Sequence, residues 1–159
     1  MRGVATAVAL AVAGCGAMDV RNDPAPLTVQ TQFGRAQACG SGPYVTRMSE
    51  MSHRSPAIGV AGLPPGTRSL KVEMVDLDLG GFDHGGGQVA VPAGTGPQAV
   101  IPEGALSNWM GPCPPTGSDH RYEVRVRALD AGGHALAGGT TVLTCCRQFG
   151  SGRTGQPSG

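Results

Sequence analysis

Nothing in this sequence supplies an excess of one charge: 12 Lys and Arg stand against 11 Asp and Glu, a formal net charge of +1. Without a global positive field the chain lacks the means to hold a polyanion by neutralising phosphates, which argues against nucleic acid as a partner. No apolar run reaches the roughly 18 to 20 residues that a helix needs to cross a bilayer. Long uninterrupted helices are missing too, because 27 glycines and 13 prolines fall throughout the 159 residues. Leu, Ile, Val and Phe together make only about 19 %, close to the composition of disordered chains, but near-neutrality removes the self-repulsion that usually accompanies disorder. One small, turn-rich globular domain remains. The motifs of several hydrolase and nucleotide-binding classes, H-E-x-x-H, the P-loop and G-x-S-x-G, are absent as well.

What is present begins with a short charged start and the apolar run Gly3 to Gly14, which reads as the h-region of a signal peptide over residues 1–14. The junction Val12-Ala13-Gly14-Cys15 resembles a bacterial lipobox, in which the cysteine carries lipid and becomes the new N-terminus. The expectation is an exported, lipid-anchored protein of the cell envelope, facing the periplasm or outer membrane in a diderm cell, since Gly16 follows the cysteine. Each buried methylene of such an anchor adds about 0.8 kcal/mol to membrane attachment. Residues 15–26, with Asn22, Asp23, Pro24 and Pro26, read as the tether, 27–149 as the folded domain and 150–159 as a tail. Beyond Cys15 the cysteines are Cys39, Cys113, Cys145 and Cys146, an even number in a compartment where disulfides persist. Cys39 with Cys113 is the expected pair. A bond between the neighbours Cys145 and Cys146 is the least favoured, because adjacent strand side chains point to opposite faces. No C-x-x-C occurs, so zinc held by these thiols is not expected.

Apolar and polar residues alternate over Leu27–Phe33, Ser69–Val75 and Tyr122–Ala128, predicting strands. The second turns Leu70, Val72 and Met74 to one face. The third turns Tyr122, Val124, Val126 and Ala128 inward, with Arg121, Glu123, Arg125 and Arg127 outward. Gln88–Val91 and Thr140–Cys145 read as further short strands, while Gly62–Gly66, Gly80–Gly81, Gly85–Gly87, Gly111–Pro115 and Ala131–Gly133 read as turns or tight loops. The fold class that follows is all-β, a β-sandwich with minor helix.

Two polar clusters could carry chemistry. Asp76, Asp78, Asp83 and His84 follow directly on the best strand, and Asp76 and Asp78 share a face with its apolar residues for as long as that strand persists. His120 and Tyr122 open a second strand and share its inner face. Singly, each has a structural explanation: aspartates beside glycine close turns, and an inward tyrosine is core with a satisfied hydroxyl.

Together with Ser55-Pro-Ala-Ile, Gly62-Leu-Pro-Pro-Gly66, Gly111-Pro-Cys-Pro-Pro115 and Ala128-Leu-Asp130, these clusters resemble the phosphatidylethanolamine-binding protein family, in its bacterial, Raf-kinase-inhibitor-like branch. The resemblance covers about Leu27 to Phe149 and implies a β-sandwich. It also implies a small surface cavity for phosphate-like and carboxylate anions at Asp76, Asp78, His84, Gly111, Pro112, His120 and Tyr122. The imidazoles and the phenol would then supply donors, amides near Gly85–Gly87 or Gly111 a nest, and Asp76 a carboxylate behind an imidazole. Asp78 would orient the other loop or meet an ammonium, and Trp109 would give an apolar wall. Where the family commonly writes two prolines this chain has Leu77 and Leu79, and Gly85 replaces an aromatic, so a softer and less aromatic rim is expected.

The expectation is a non-enzymatic binding module with no cofactor. Its partners would be a small anionic ligand or phospholipid headgroup, and the membrane through its anchor. The alternatives are a metal-dependent hydrolase built on the Asp/His cluster and a structural envelope lipoprotein without a ligand.

Overall fold

A computed structural model describes residues 26–38, 51–115 and 117–147. Eight strands are formed: β1 (Thr28–Thr31), β2 (Ile58–Ala61), β3 (Ser69–Asp76), β4 (Phe82–Ala90), β5 (Gln98–Ile101), β6 (Asn108–Trp109), β7 (His120–Leu129) and β8 (Ala135–Cys145). They make two antiparallel sheets, ordered β1-β2-β5 and β6-β4-β3-β7-β8. The alternation of β3 and β7 is obeyed throughout: Leu70, Val72, Met74, Tyr122, Val124, Val126 and Ala128 are all buried. Val29, Ile58, Val60 and Ile101 of the smaller sheet close over them to complete one core. On the outer face of the larger sheet, Lys71, Glu73 and Arg127 form one chain of ion pairs, and Glu123 with Arg125 another.

The minor helix is not found among the described residues; every regular element there is a strand. Three short strands, β2, β5 and β6, carry too few residues for their periodicity to be read in the sequence. The largest correction concerns Gly85–Gly87, expected as a turn. These glycines lie inside β4, which is wedged between β3 and β6. A Cβ on Gly85 would overlap the Asn108 carbonyl oxygen, and one on Gly86 the Val72 carbonyl oxygen. The glycines therefore serve close backbone approach within a sheet.

This packing also positions a side chain. Glu73 faces Gly86 and Val75 faces Asp83, so the single residue Met74 stands opposite both His84 and Gly85. That is a β-bulge, with Gly85 at φ 74° absorbing the distortion, and it turns His84 into the interior at 2 % exposure.

The structure pairs Cys145 with Cys146, the bond that strand alternation disfavours. Alternation does not apply because β8 stops at Cys145; the peptide between the two is cis and their Cα atoms are 3.1 Å apart. Cys113 is also part of a disulfide. Its expected partner Cys39 lies outside the described residues, as do the signal segment, Cys15, most of the tether and the tail.

Candidate functional site

The ends of four strands meet at one edge of the larger sheet. Asp76 closes β3 and stands directly opposite Tyr122 in the β3–β7 register. His120 opens β7, His84 comes from the bulge of β4, and β6 leads through Met110 into Gly111 and Pro112. The rings converge. His84 and Tyr122 are edge-to-face with centroids 5.3 Å apart, His120 stacks on Tyr122 at 6.3 Å, and Phe82 and Phe33 brace His84 and Tyr122 at 5.0 and 5.8 Å.

Asp76, 2 % exposed, is the hub of this arrangement. Its Oδ1 accepts the amides of Asp78 and Leu79 at 2.8 and 3.1 Å, which closes the turn after β3. Its Oδ2 accepts Nδ1–H of His120 at 2.6 Å. The second bond fixes the His120 ring and leaves Nε2 as its free nitrogen. Asp76 thus stands behind the imidazole, as the resemblance implies.

His84 is held differently. Its Nδ1 lies 2.9 Å from the Met110 carbonyl oxygen, which can only accept, so Nδ1 carries the proton. Nε2 is buried and has no hydrogen-bond partner among the described residues. Burial lowers the pKa of His84, opposed by the carbonyls of Met110 and Gly111 and the charges of Asp76 and Asp83. The expectation that both imidazoles offer N–H donors is therefore corrected: neutral His84 has spent its N–H on Met110. The Tyr122 hydroxyl is likewise buried without a partner, against the default of a satisfied core phenol. Burial, with the Asp76 charge adding to it, pushes the phenol well above its usual range. Asp76 and the Cys113 amide approach this oxygen closely enough to bias it, yet neither bonds it in good geometry.

The remaining expected residues stand aside. Asp78 is beyond the end of β3, so the shared face with Asp76 is lost. It accepts the Arg121 amide at 2.7 Å and pairs with the Arg121 guanidinium, which holds its carboxyl down at about 2. It steadies the start of β7 beside His120 and does not face the rings. Asp83 closes locally on the Gly85 amide at 2.7 Å. The amide nest is not formed either: Gly85 is used by Asp83, and Gly111 donates to the Ser52 carbonyl at 2.7 Å. Gly111 and Pro112 are buried, and a Cβ on Gly111 would overlap the Gln37 carbonyl oxygen. Trp109 is core, 1 % exposed, with its indole N–H unpartnered among the described residues. Sequence reasoning passed over His53, whose Nδ1–H binds the Trp109 carbonyl at 2.9 Å and ties the segment before β2 to the site. A lone histidine outside any strand pattern gave no signal for it.

Asp76, His84 and Tyr122 are buried. His120, its side chain 15 % exposed, is the ring that solvent reaches. A hollow of about 230 Å³ lies at the other end of β3, lined by Leu63, Pro64, Arg68, Val91, Pro92 and Thr95 among others. Among the described residues no group of three or more His, Cys, Asp or Glu has the geometry to hold a metal ion.

Asp76, His84, His120 and Tyr122 thus come together from the ends of three strands, β3, β4 and β7. A family model described as phosphatidylethanolamine-binding protein matches residues 27–147. The chain belongs to the phosphatidylethanolamine-binding protein family. Among solved structures it is similar to E. coli YbcL, described as a new member of the mammalian PEBP family, at 19 % identity and a TM-score of 0.52, covering 76 % of this chain and 98 % of that one. It is also similar to a PEBP homologue, CT736 of Chlamydia trachomatis, at 19 % identity and a TM-score of 0.46, covering 76 % and 97 %. Among curated proteins none matches. Family membership accounts for the all-strand architecture of two antiparallel sheets and makes this a PEBP-type binding protein.

Proposed function

We propose that this PEBP-family protein is a non-enzymatic module that binds a small oxyanion, phosphate-like or carboxylate-like, between His84, His120 and Tyr122. The observation that carries the reading is a pair of buried polar atoms, His84 Nε2 and Tyr122 Oη, left without partners among the described residues beside a third ring that Asp76 orients. A protein interior rarely leaves such atoms unbonded, because each costs about 1 to 3 kcal/mol. A ligand oxygen entering past the partly exposed His120 would satisfy them. The same reading makes residues 1–14 an export signal and Cys15 a lipid attachment point, so that the site is presented at the cell envelope.

The test is thermal unfolding with phosphate or citrate. At a ligand concentration a hundred times the dissociation constant, stabilisation reaches about 2.7 kcal/mol. His84→Ala combined with His120→Ala should abolish it, whereas Asp78→Asn should preserve it. A protein that responds to neither anion, or a double variant that responds equally, refutes the reading. Mass spectrometry of the detergent-extracted protein, wild type against Cys15→Ser, tests the anchor.

A further inference from the structure

Resting on the anion-binding reading above, we propose that His84 makes the site selective for an oxyanion that carries its own proton, the monoanion of phosphate or of a phosphomonoester, over a phosphodiester of equal charge. The argument starts from the proton on His84. Nδ1–H is committed to the Met110 carbonyl at 2.9 Å, so Nε2, buried and without a partner among the described residues, carries a lone pair. Beside it, His120 has its Nδ1–H committed to the Asp76 carboxylate. The Tyr122 hydroxyl, buried without a well-aligned partner among the described residues, is a donor beside His84. A buried imidazole lone pair on His84 repels a bare oxyanion and accepts from one that carries an O–H.

The surroundings of His84 strengthen this. Asp76 from β3, Asp83 from its own strand, and Tyr122 and His120 from β7 are the titratable groups near it. From the β6 side come only the carbonyls of Met110 and Gly111, and Phe82 adds an apolar ring. Charging His84 is favoured by the two aspartates and opposed by burial, and burial prevails. A phosphodiester has no proton to give, so it must bind against a neutral imidazole or draw a proton from solvent onto a buried ring. A phosphomonoester monoanion places its P–O–H against Nε2. The shared proton then lies between ligand oxygen and nitrogen, and no atom of the protein changes its bonding elsewhere.

The experiment is isothermal titration of the full chain with methyl phosphate, inorganic phosphate and dimethyl phosphate between pH 5.5 and 8. At pH 5.5 the monoester, whose second pKa is about 6, and the diester both carry close to one negative charge. The monoester should bind at least about ten-fold tighter, the cost of one buried acceptor left unpaired. At pH 7.5, titration in two buffers of different ionisation heat should read about one proton taken up per phosphate bound. His84→Gln should bring the two esters within about two-fold of each other and remove the proton uptake, whereas His120→Gln should retain the uptake. Equal affinity for the two esters, no uptake at pH 7.5, or an uptake that survives His84→Gln and vanishes in His120→Gln would each overturn the proposal while leaving the anion site standing. If His84→Gln does not fold, the wild-type ester ratio and proton count decide alone. If none of the three ligands binds at any pH, the anion reading fails and takes this inference with it.

Discussion

Replacing Asp76 tests how one carboxylate serves both a turn and a ring. In Asp76→Asn the amide oxygen can keep the Asp78 and Leu79 amides, but the NH₂ group now faces Nδ1 of His120, donor against donor. The ring answers by moving its proton to Nε2, so that Nδ1 accepts. A charge-assisted bond of 2.6 Å is exchanged for a neutral one about half as strong, a loss of about 1 kcal/mol. For a chain of this size that lowers the melting temperature by about 2 to 4 °C. Asp76→Ala removes all three bonds and leaves two amides of the turn without their acceptor, so about 3 kcal/mol should be lost. Urea unfolding at pH 7 gives both stabilities, and ¹⁵N spectra of the imidazole report which nitrogen of His120 is protonated. If the alanine variant is no less stable than the asparagine variant, Asp76 does not hold the turn. If the His120 tautomer is unchanged in Asp76→Asn, the carboxylate does not set it.

Two further outcomes follow from the same region. His84 binds its proton less readily in the folded state than its ordinary value of 6.5. Between that value and the lower folded one the unfolded chain holds more protons, so ligand-free stability should decline as pH falls below about 6.5. Calorimetry of His84→Gln against wild type over pH 4 to 8 checks this; parallel curves would refute it. Gly85→Ala should cost about 3 kcal/mol or more, from a positive φ combined with overlap on the Asn108 carbonyl. Gly94→Ala, also at positive φ but in open space, should cost only about 1 to 2 kcal/mol. Equal losses in equilibrium unfolding would show that β4 and β6 are not in close contact.

The parts of the fold legible in the sequence are those where periodicity is long. β3 and β7 alternate over eight and ten residues, and every inward position read from them is buried. β6, with two residues, leaves no pattern to read, and neither did the glycine run of β4, because glycine signals a turn and close strand packing equally well. For the site, the order of motifs pointed to Asp76, His84, His120 and Tyr122, and the fold does gather them. Asp78 leaves the face it would share with Asp76 because the i, i+2 rule holds only inside a strand, and β3 ends at Asp76. The tautomer of His84 was out of reach in principle, since it depends on the Met110 carbonyl 26 positions away. The bond between Cys145 and Cys146 failed the same alternation rule one residue past the end of β8.

Because the two oxygens of Asp76 divide their duties, one on the backbone of Asp78 and Leu79 and the other on His120, events at the imidazole are wired to amides that touch no guest. A spectroscopist could therefore follow occupancy from the exchange rates of those two backbone protons, leaving every aromatic ring unlabelled and undisturbed.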